Sequence, residues 1–193
     1  MDEQLSFLVS AFAPPPIDAM YTRAKKKFGT YIDQDLTTEN GIITLNRAHI
    51  TIKRRFFAKA DVTDQRIIEA LKTVSFTPLP IVVSQATIFK TERLGNVLVG
   101  LIDKNEALAT LHKDIFAVLR PFIKTTEDYE LEHYHAHLSI VYNLPEDKAE
   151  QAQSYAQQHI IPFSYTLLDF HLLKNIPGVV RERTELHRYT ATT

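Results

Sequence analysis

The segment that decides the fold reads RAHITIK over residues 47–53, and it has a counterpart, HAHLSIV, over residues 135–141. Both contain a histidine, an apolar residue, a hydroxyl residue and a second apolar residue, in that order. With 8 histidines in the chain, random placement predicts about 0.2 copies of this pattern. Each copy lies in a run of β-branched and apolar residues, so we expect two strands with one shared purpose.

Side chains alternate between the two faces of a strand. His49 and Thr51 are therefore expected on one face of the first motif strand, opposite Ile50. His137 and Ser139 are expected on one face of the second. Each strand would present an imidazole and a hydroxyl to a cleft and its apolar side chains to a core.

The rest of the chain repeats one order of elements in its two halves. Each half is predicted to run strand, helix, motif strand, helix, strand, and we expect two similar α+β lobes within a single domain over residues 1–193. The repeats cover about 1–92 and 93–193. The predicted strands are 5–11, 43–57, 80–90, 96–102, 133–143, 162–174 and 179–189, with helices near 17–28, 63–74 and 108–122 and from 145 onward.

Composition excludes several classes of function. The 193 residues carry a net charge of −1 and no cysteine, which excludes thiol catalysis and disulfides and argues against binding long nucleic acid by bulk charge. Five glycines leave little room for a glycine-rich phosphate loop. The acidic start, residues 1–4, and three prolines at 14–16 predict neither a signal peptide nor a membrane span, so we expect a cytoplasmic protein.

Paired imidazoles suit phosphodiester cleavage. Near neutral pH one histidine can accept a proton from water while the other donates one to the leaving oxygen. The hydroxyls of Thr51 and Ser139 can bind phosphate oxygens, and Lys53, two residues beyond Thr51, is expected to share that face and to offset their charge. The residue types leave open which of His49 and His137 is the base.

The two motifs resemble those of the 2H phosphoesterase superfamily, whose bacterial members include 2′-5′ RNA ligases that also act as RNA cyclic phosphodiesterases. The resemblance implies a bilobal, pseudo-symmetric α+β fold with two antiparallel sheets lining a central cleft and helices outside. It implies catalysis by His49 and His137 without a metal or other cofactor, phosphate contacts from Thr51 and Ser139, and a nucleotide or RNA-end substrate. We expect a monomer.

Two alternatives remain open at this stage. A nucleotide- or RNA-end-binding protein could keep the cleft without turnover. A zinc hydrolase could use His133, His135 and His137, because alternate strand positions lie roughly 6.6 Å apart on one face, with Asp128 or Glu132 as a further ligand. Accessory roles are open to three residues near the motifs: His135 at the cleft edge, Tyr142 against a base, and Arg55 near phosphate.

Overall fold

The two motif strands lie side by side at the centre of an antiparallel sheet, where Ile50 pairs with Leu138. The structure, a computed structural model, describes residues 6–29, 42–44, 47–91, 95–124, 134–175 and 182–192. Over these ranges it contains nine strands and four α-helices. The predicted α+β class is confirmed.

The elements are numbered in chain order. The strands are β1 (Ser6–Phe12), β2 (Ile42–Thr44), β3 (His49–Phe57), β4 (Leu79–Thr91), β5 (Gly95–Ile102), β6 (His137–Leu144), β7 (Phe163–Leu167), β8 (Asp169–Asn175) and β9 (Glu182–Thr190). The helices are α1 (Pro15–Phe28), α2 (Asp64–Lys72), α3 (Glu106–Leu119) and α4 (Ala149–His159).

All nine strands follow one hydrogen-bonded order, β2-β9-β8-β1-β3-β6-β5-β4-β7. This differs from the two separate sheets that we expected. The two halves of the sheet are joined between β3 and β6, and the pairing there is limited to Ile50 and Leu138. The motif strands are therefore direct neighbours, which lets them present their side chains to the same cleft.

The strand order places a late strand of each predicted half beside the first strand of the other half. β4 pairs with β5, and β8 pairs with β1. The elements β1-α1-β3-α2-β4 are thus matched by β5-α3-β6-α4-β8, with β7 inserted between α4 and β8. This exchange ties the two halves together through backbone hydrogen bonds as well as through the core.

The core lies between the sheet and the helices. Ile50 and Leu138 are completely buried, on the face that we call the helix side. On this face a Cβ added to Gly100 would lie 3.0 Å from the Tyr21 hydroxyl, which shows how closely α1 approaches β5. α3 packs against β3 in the same way. We call the opposite face, which carries the motif histidines, the cleft side.

Several boundaries differ from the predicted ones. The strand expected over 43–57 is two strands, because β2 pairs with β9 whereas β3 pairs with β1 and β6. The strand expected over 133–143 begins only at His137, and the one over 162–174 is interrupted at Leu168. A 3₁₀ turn over 120–122 follows α3, and another over 146–148 separates Pro145 from α4.

The other predicted elements agree with the structure to within about three residues. The polar segments 30–42 and 124–132 predict loops before the two motif strands, and Pro177-Gly178 predicts a turn. These three segments fall almost wholly outside the described residues. In the ranges that the structure covers, no helix has the length and apolar character needed to cross a lipid bilayer.

Candidate active site

The pairing of Ile50 with Leu138 fixes how the two motifs meet. In an antiparallel pair, residues one step away on either side also lie opposite each other, on the other face of the sheet. Each motif histidine therefore lies across from the hydroxyl residue of the other motif, and the two histidines are diagonal neighbours. The opposed pairs are His49 with Ser139 and Thr51 with His137.

Both imidazole rings are held by the same contact. Nδ1 of His49 donates to the carbonyl of Arg47 over 2.7 Å, and Nδ1 of His137 donates to the carbonyl of His135 over 2.8 Å. A carbonyl can only accept, so this bond fixes the proton of each neutral ring on Nδ1. Nε2 of each ring is then the nitrogen that can accept a proton.

Both histidines are poised to be neutral. Burial, together with the smaller effects of the charges of Lys25 and of a protonated His137, lowers the pKa of His49 to about 4. The pKa of His137 is also lowered, first by burial and then by the charges of His135 and Arg54. His49 is only 6% exposed, and this burial is the main reason that its charged form is disfavoured.

An aromatic ring borders each imidazole. The centroids of Phe12 and His49 are 6.2 Å apart and those of Phe89 and His137 are 5.1 Å apart, both in edge arrangements. The guanidinium of Arg47 lies over the Phe12 ring at 4.7 Å. These rings make the walls beside the histidines apolar, which strengthens electrostatic interactions with any charge bound there.

Asp18, in the first turn of α1, anchors the segment that precedes β3. Its Oδ1 accepts a hydrogen bond from the backbone N–H of Ala48 at 2.6 Å, and its Oδ2 lies 3.9 Å from Nε of Arg47. The Arg47 carbonyl is the group that orients His49. Asp18 therefore acts on His49 through the backbone, and no local sequence pattern predicts this contact.

These observations agree with the comparisons to known proteins. The family model described as the 2′-5′ RNA ligase superfamily matches residues 22–177. The chain belongs to this superfamily. A search of curated protein sequences gives no match.

Solved structures share the fold of this superfamily member. E. coli LigT complexed with 3′-AMP has a TM-score of 0.65 at 15% identity, covering 99% of this chain and 100% of LigT. TT0787 of Thermus thermophilus has a TM-score of 0.60 at 12% identity, covering 96% and 97%. Usb1 of Kluyveromyces marxianus has a TM-score of 0.50 at 8% identity, covering 94% and 98%.

We had expected Lys53 to share the face of His49. The structure places it on the other face. Thr51 pairs with Ser10 and Lys53 pairs with Val9, so Ile52 is one extra residue on β3. Such a β-bulge shifts the alternation of side chains by one residue. Lys53 therefore points to the helix side.

The contacts of Lys53 confirm this direction. The side chain is 3% exposed, and its Nζ lies 5.7 Å from the ring of Phe56 and 5.6 Å from that of Phe116 on α3. The prediction that Lys53 lies on the same face as His49 and Thr51, where it could reach a phosphate, is therefore wrong. A β-bulge depends on long-range pairing with β1, which is why the local pattern of the sequence did not reveal it.

His112 and Tyr134 support the bulge from the helix side. Nδ1 of His112, on α3, donates to the carbonyl of Ile52 over 2.6 Å, and its ring stacks on Tyr134 with centroids 4.0 Å apart. The Tyr134 hydroxyl donates to the carbonyl of Thr51. His112 is thus a buried structural residue whose partner lies 60 positions earlier in the chain.

His171 is a cleft-side residue whose partners the sequence did not show. It pairs with Ser10 on β1, and its ring lies 4.8 Å from that of Phe12. Nδ1 lies 3.0 Å from a Glu185 oxygen and Nε2 lies 3.0 Å from an Asp169 oxygen. Because both ring nitrogens lie within hydrogen-bond distance of carboxylates, Asp169 and Glu185 hold the His171 ring in place next to the site.

The remaining predicted residues lie around this centre. Ser139 is buried, and Thr51 and Tyr142 are half-buried. Arg55 is exposed, and its Nε donates to the Ser6 hydroxyl over 2.9 Å. His135 precedes β6, and its backbone carbonyl is the group that accepts the hydrogen bond from His137.

The zinc alternative took its ligands from the histidines at 133, 135 and 137 on one strand face, with a nearby carboxylate. His135 precedes β6 and His137 begins it, while His133, Glu132 and Asp128 lie outside the described residues. Nδ1 of His137 is engaged by a carbonyl. Within the described ranges, no group of three histidine, aspartate or glutamate side chains is arranged to hold a metal ion.

Proposed function

We propose that this protein is a metal-independent phosphoesterase that hydrolyses, or reversibly ligates, a cyclic phosphodiester such as a 2′,3′-cyclic phosphate on a nucleotide or an RNA end. The observation that carries the proposal is the diagonal pair of imidazoles, each fixed with its proton on Nδ1. Two such rings can act on opposite sides of one phosphorus atom. Both motifs come from one chain, so a monomeric, bilobal domain with repeats near 1–92 and 93–193 suffices.

His49 is assigned the role of general base. Its pKa of about 4 keeps Nε2 unprotonated at neutral pH. In hydrolysis, Nε2 takes a proton from water as the water oxygen bonds to phosphorus. This step requires a neutral ring in the free enzyme, which burial of His49 supplies.

His137 is assigned the role of general acid. As the bond from phosphorus to the ribose oxygen breaks, Nε2–H of His137 gives its proton to that oxygen, and the product is a phosphomonoester. The pKa of His137 is lowered in the free protein, but a bound phosphate anion raises the pKa of a neighbouring imidazole. Substrate binding therefore favours the protonated form that the acid needs. In ligation the two roles are exchanged.

Thr51 and Ser139 are proposed to bind the non-bridging phosphate oxygens. Each hydroxyl lies across the strand pair from a catalytic histidine, so the phosphate would be enclosed by two rings and two hydroxyls in alternation. Donors placed where charge grows lower the barrier without reorganisation. Tyr142 is half-buried on β6 and is proposed to stack against a base.

Structural neighbours support a nucleotide substrate. E. coli LigT has been crystallised in complex with 3′-AMP, with ATP and with phosphate. A 3′-phosphate is also the kind of group that opening of a 2′,3′-cyclic phosphate produces. The proposal carries this ligand class to the present chain because both chains have the same fold over almost their whole lengths.

The test is turnover of a panel of 2′,3′-cyclic nucleotides, cyclic-phosphate RNA ends and cyclic dinucleotides with EDTA present. We expect hydrolysis of the first two classes by the wild type and its loss in both His49→Ala and His137→Ala. Binding of nucleotides without turnover would instead identify a non-catalytic binding protein. Activity restored only by added Zn²⁺ would contradict the metal-independent mechanism.

A further inference from the structure

The two motif strands leave regular pairing at the same offsets from their histidines. On β3, Lys53 pairs with Val9 and Phe56 with Phe7, so the two residues 54 and 55 lie opposite one residue of β1. On β6, Val141 pairs with Leu98 and Leu144 with Asn96, so residues 142 and 143 lie opposite one residue of β5. Ile140 is an extra residue on β6, as Ile52 is on β3, three positions beyond the histidine. Each motif strand therefore carries a second bulge five and six positions beyond its histidine.

These bulges form two equivalent flanks of the cleft. Lys53 and Val141 both point to the helix side, since their partners Val9 and Leu98 are core residues. The residue after each of them consequently points to the cleft side. We call Arg54–Arg55 the arginine flank and Tyr142–Asn143 the tyrosine flank. The backbone is alike in the two flanks, but their chemistry is not.

The arginine flank lies beyond the His137 end of the site. Thr51 is across from His137, and Arg54 is three residues farther along β3, or about 10 Å. Its side chain is exposed, and its charge is among the causes that lower the pKa of His137. Arg54 is therefore near enough to the cleft to act on what is bound there.

The arginine flank is supported and reinforced by its surroundings. Arg55 donates to Ser6 over 2.9 Å, and its guanidinium lies 4.9 Å from the ring of Phe57. The pKa of Arg183, on β9, is lowered by burial and by the charge of Arg55. Arg183 pairs with Asn175, whose side chain donates to the same Ser6 hydroxyl as Arg55. The positive charges of Arg54, Arg55 and Arg183 thus lie toward the same end of the sheet, in a chain whose net charge is −1. An anion bound there would relieve their mutual repulsion.

We propose that the arginine flank binds a second phosphate of the substrate, the one on the 5′ side of the nucleotide that carries the cyclic phosphate. This inference rests on the proposed function, because it needs the cyclic phosphate to lie between His49 and His137. Guanidinium is the side-chain group best matched to phosphate oxygens. The tyrosine flank has no charge, so the two flanks would fix which way the nucleotide lies in the cleft.

Equilibrium binding of product-like ligands tests this inference. Adenosine 3′-monophosphate has only the phosphate of the proposed active site, whereas adenosine 3′,5′-bisphosphate adds the second one. A charge-assisted contact predicts that the bisphosphate binds the wild type roughly 10-fold more tightly or better. In Arg54→Met the ratio of the two dissociation constants should approach one, and in Arg54→Lys it should be intermediate. Arg120→Met, at the end of α3, is the matched control and should keep the wild-type ratio.

The source of the second phosphate is resolved by a third ligand, a dinucleotide with a 3′-terminal phosphate. A comparable gain from its internucleotide phosphate identifies an RNA end as substrate, and a gain from the bisphosphate alone identifies a 5′-phosphorylated mononucleotide. For the favoured ligand, Arg54→Met should also reduce the slope of log K against log salt by about 0.7.

Two failures are distinguishable. If the 3′-monophosphate and the bisphosphate bind equally to the wild type, or if Arg54→Met keeps their ratio, the arginine flank is not a phosphate site while the proposed function stands. If no 3′-phosphorylated ligand binds at all, the proposed function fails, and the role of the flank fails with it.

Discussion

The two motif strands have the same backbone and different side chains. Both histidines donate Nδ1 to the carbonyl two residues earlier, and both strands bulge three positions and again five to six positions beyond the histidine. Yet the pKa of His49 is lowered to about 4, and the flank that follows it is basic, while the flank after His137 is an aromatic and an amide. The backbone makes two equivalent sites for an imidazole, and the surroundings assign different roles to them.

Replacing either motif histidine should have the largest effect on kcat. His49→Gln and His137→Gln should each reduce kcat by about 10²- to 10⁴-fold, because each removes one proton transfer. The residual activity of the two variants should differ in pH dependence. The variant without the base should lose the acidic limb of the profile, and the variant without the acid should lose the alkaline limb. The opposite assignment of limbs would exchange the roles of His49 and His137.

Removing the motif hydroxyls should have the next largest effect on kcat, and it tests whether the two motifs are equivalent. Thr51→Val and Ser139→Ala should each lower kcat by about 10²-fold, as expected for loss of one donor to a developing charge. Because the residues occupy equivalent positions, the two losses should be similar. Thermal unfolding of both variants separates this effect from damage to the sheet, and a loss confined to one variant would show that only one hydroxyl touches the phosphate.

Sequence alone could predict the part of the site that depends on local alternation. His49 and Thr51 lie on one face because no irregularity separates them, and the same holds for His137 and Ser139. Lys53 was misplaced because Ile52 is an extra residue opposite β1, and a bulge is set by pairing between strands distant in sequence.

Residues whose roles depend on distant partners were missed for the same reason. Asp18 acts on residues 47 and 48 from helix α1, and His171, on β8, contacts Glu185 on β9. The family resemblance implied two separate sheets, but the pairing of Ile50 with Leu138 joins the halves in one sheet. The sequence around Ile50 or Leu138 does not indicate which strand either residue pairs with.

The buried histidine makes stability depend on pH. Because the pKa of His49 is about 4 when folded and near 6.5 when unfolded, the unfolded chain binds more protons as pH falls through this range. The stability that the neutral His49 ring preserves is fully present above pH 6.5 and is lost as pH decreases toward 4. The loss in the free energy of unfolding is on the order of 2–4 kcal/mol. Chemical denaturation at several pH values measures it, and His49→Gln should give a flatter dependence.

The lowered pKa values of His49 and His137 also predict how activity depends on pH. Both histidines of the free protein have lowered pKa values, and kcat/KM reports the free enzyme. Its maximum should therefore lie below pH 6.5, between the two pKa values, with a decline at higher pH. A maximum at pH 8 would be incompatible with the assigned pair.

Asp18 should have a smaller effect, limited to one half of the molecule. It is the fourth residue of α1, and the fourth residue of α3 is Ala109, so the second motif has no matching carboxylate at that position. Asp18→Ala removes the bond to the Ala48 N–H and should lower kcat about fivefold, the equivalent of one hydrogen bond near 1 kcal/mol. Asp18→Asn can keep the bond while removing a charge that raises the pKa of His49, so it should restore most of kcat while shifting the acidic limb to lower pH.

The smallest effect is expected at Lys53, which the structure places opposite in direction to its neighbour Arg54. The equivalent residue of the other motif is Val141, an apolar core residue that is 1% exposed. Lys53→Met makes the two positions alike and keeps a side chain of similar length between Phe56 and Phe116. The free energy of unfolding should therefore change by less than about 1.5 kcal/mol. Because the ammonium lies on the helix side, kcat/KM should be unchanged within error. A loss comparable to that of Thr51→Val would mean that the Lys53 charge reaches the phosphate after all, and that the bulge at Ile52 does not separate the two faces.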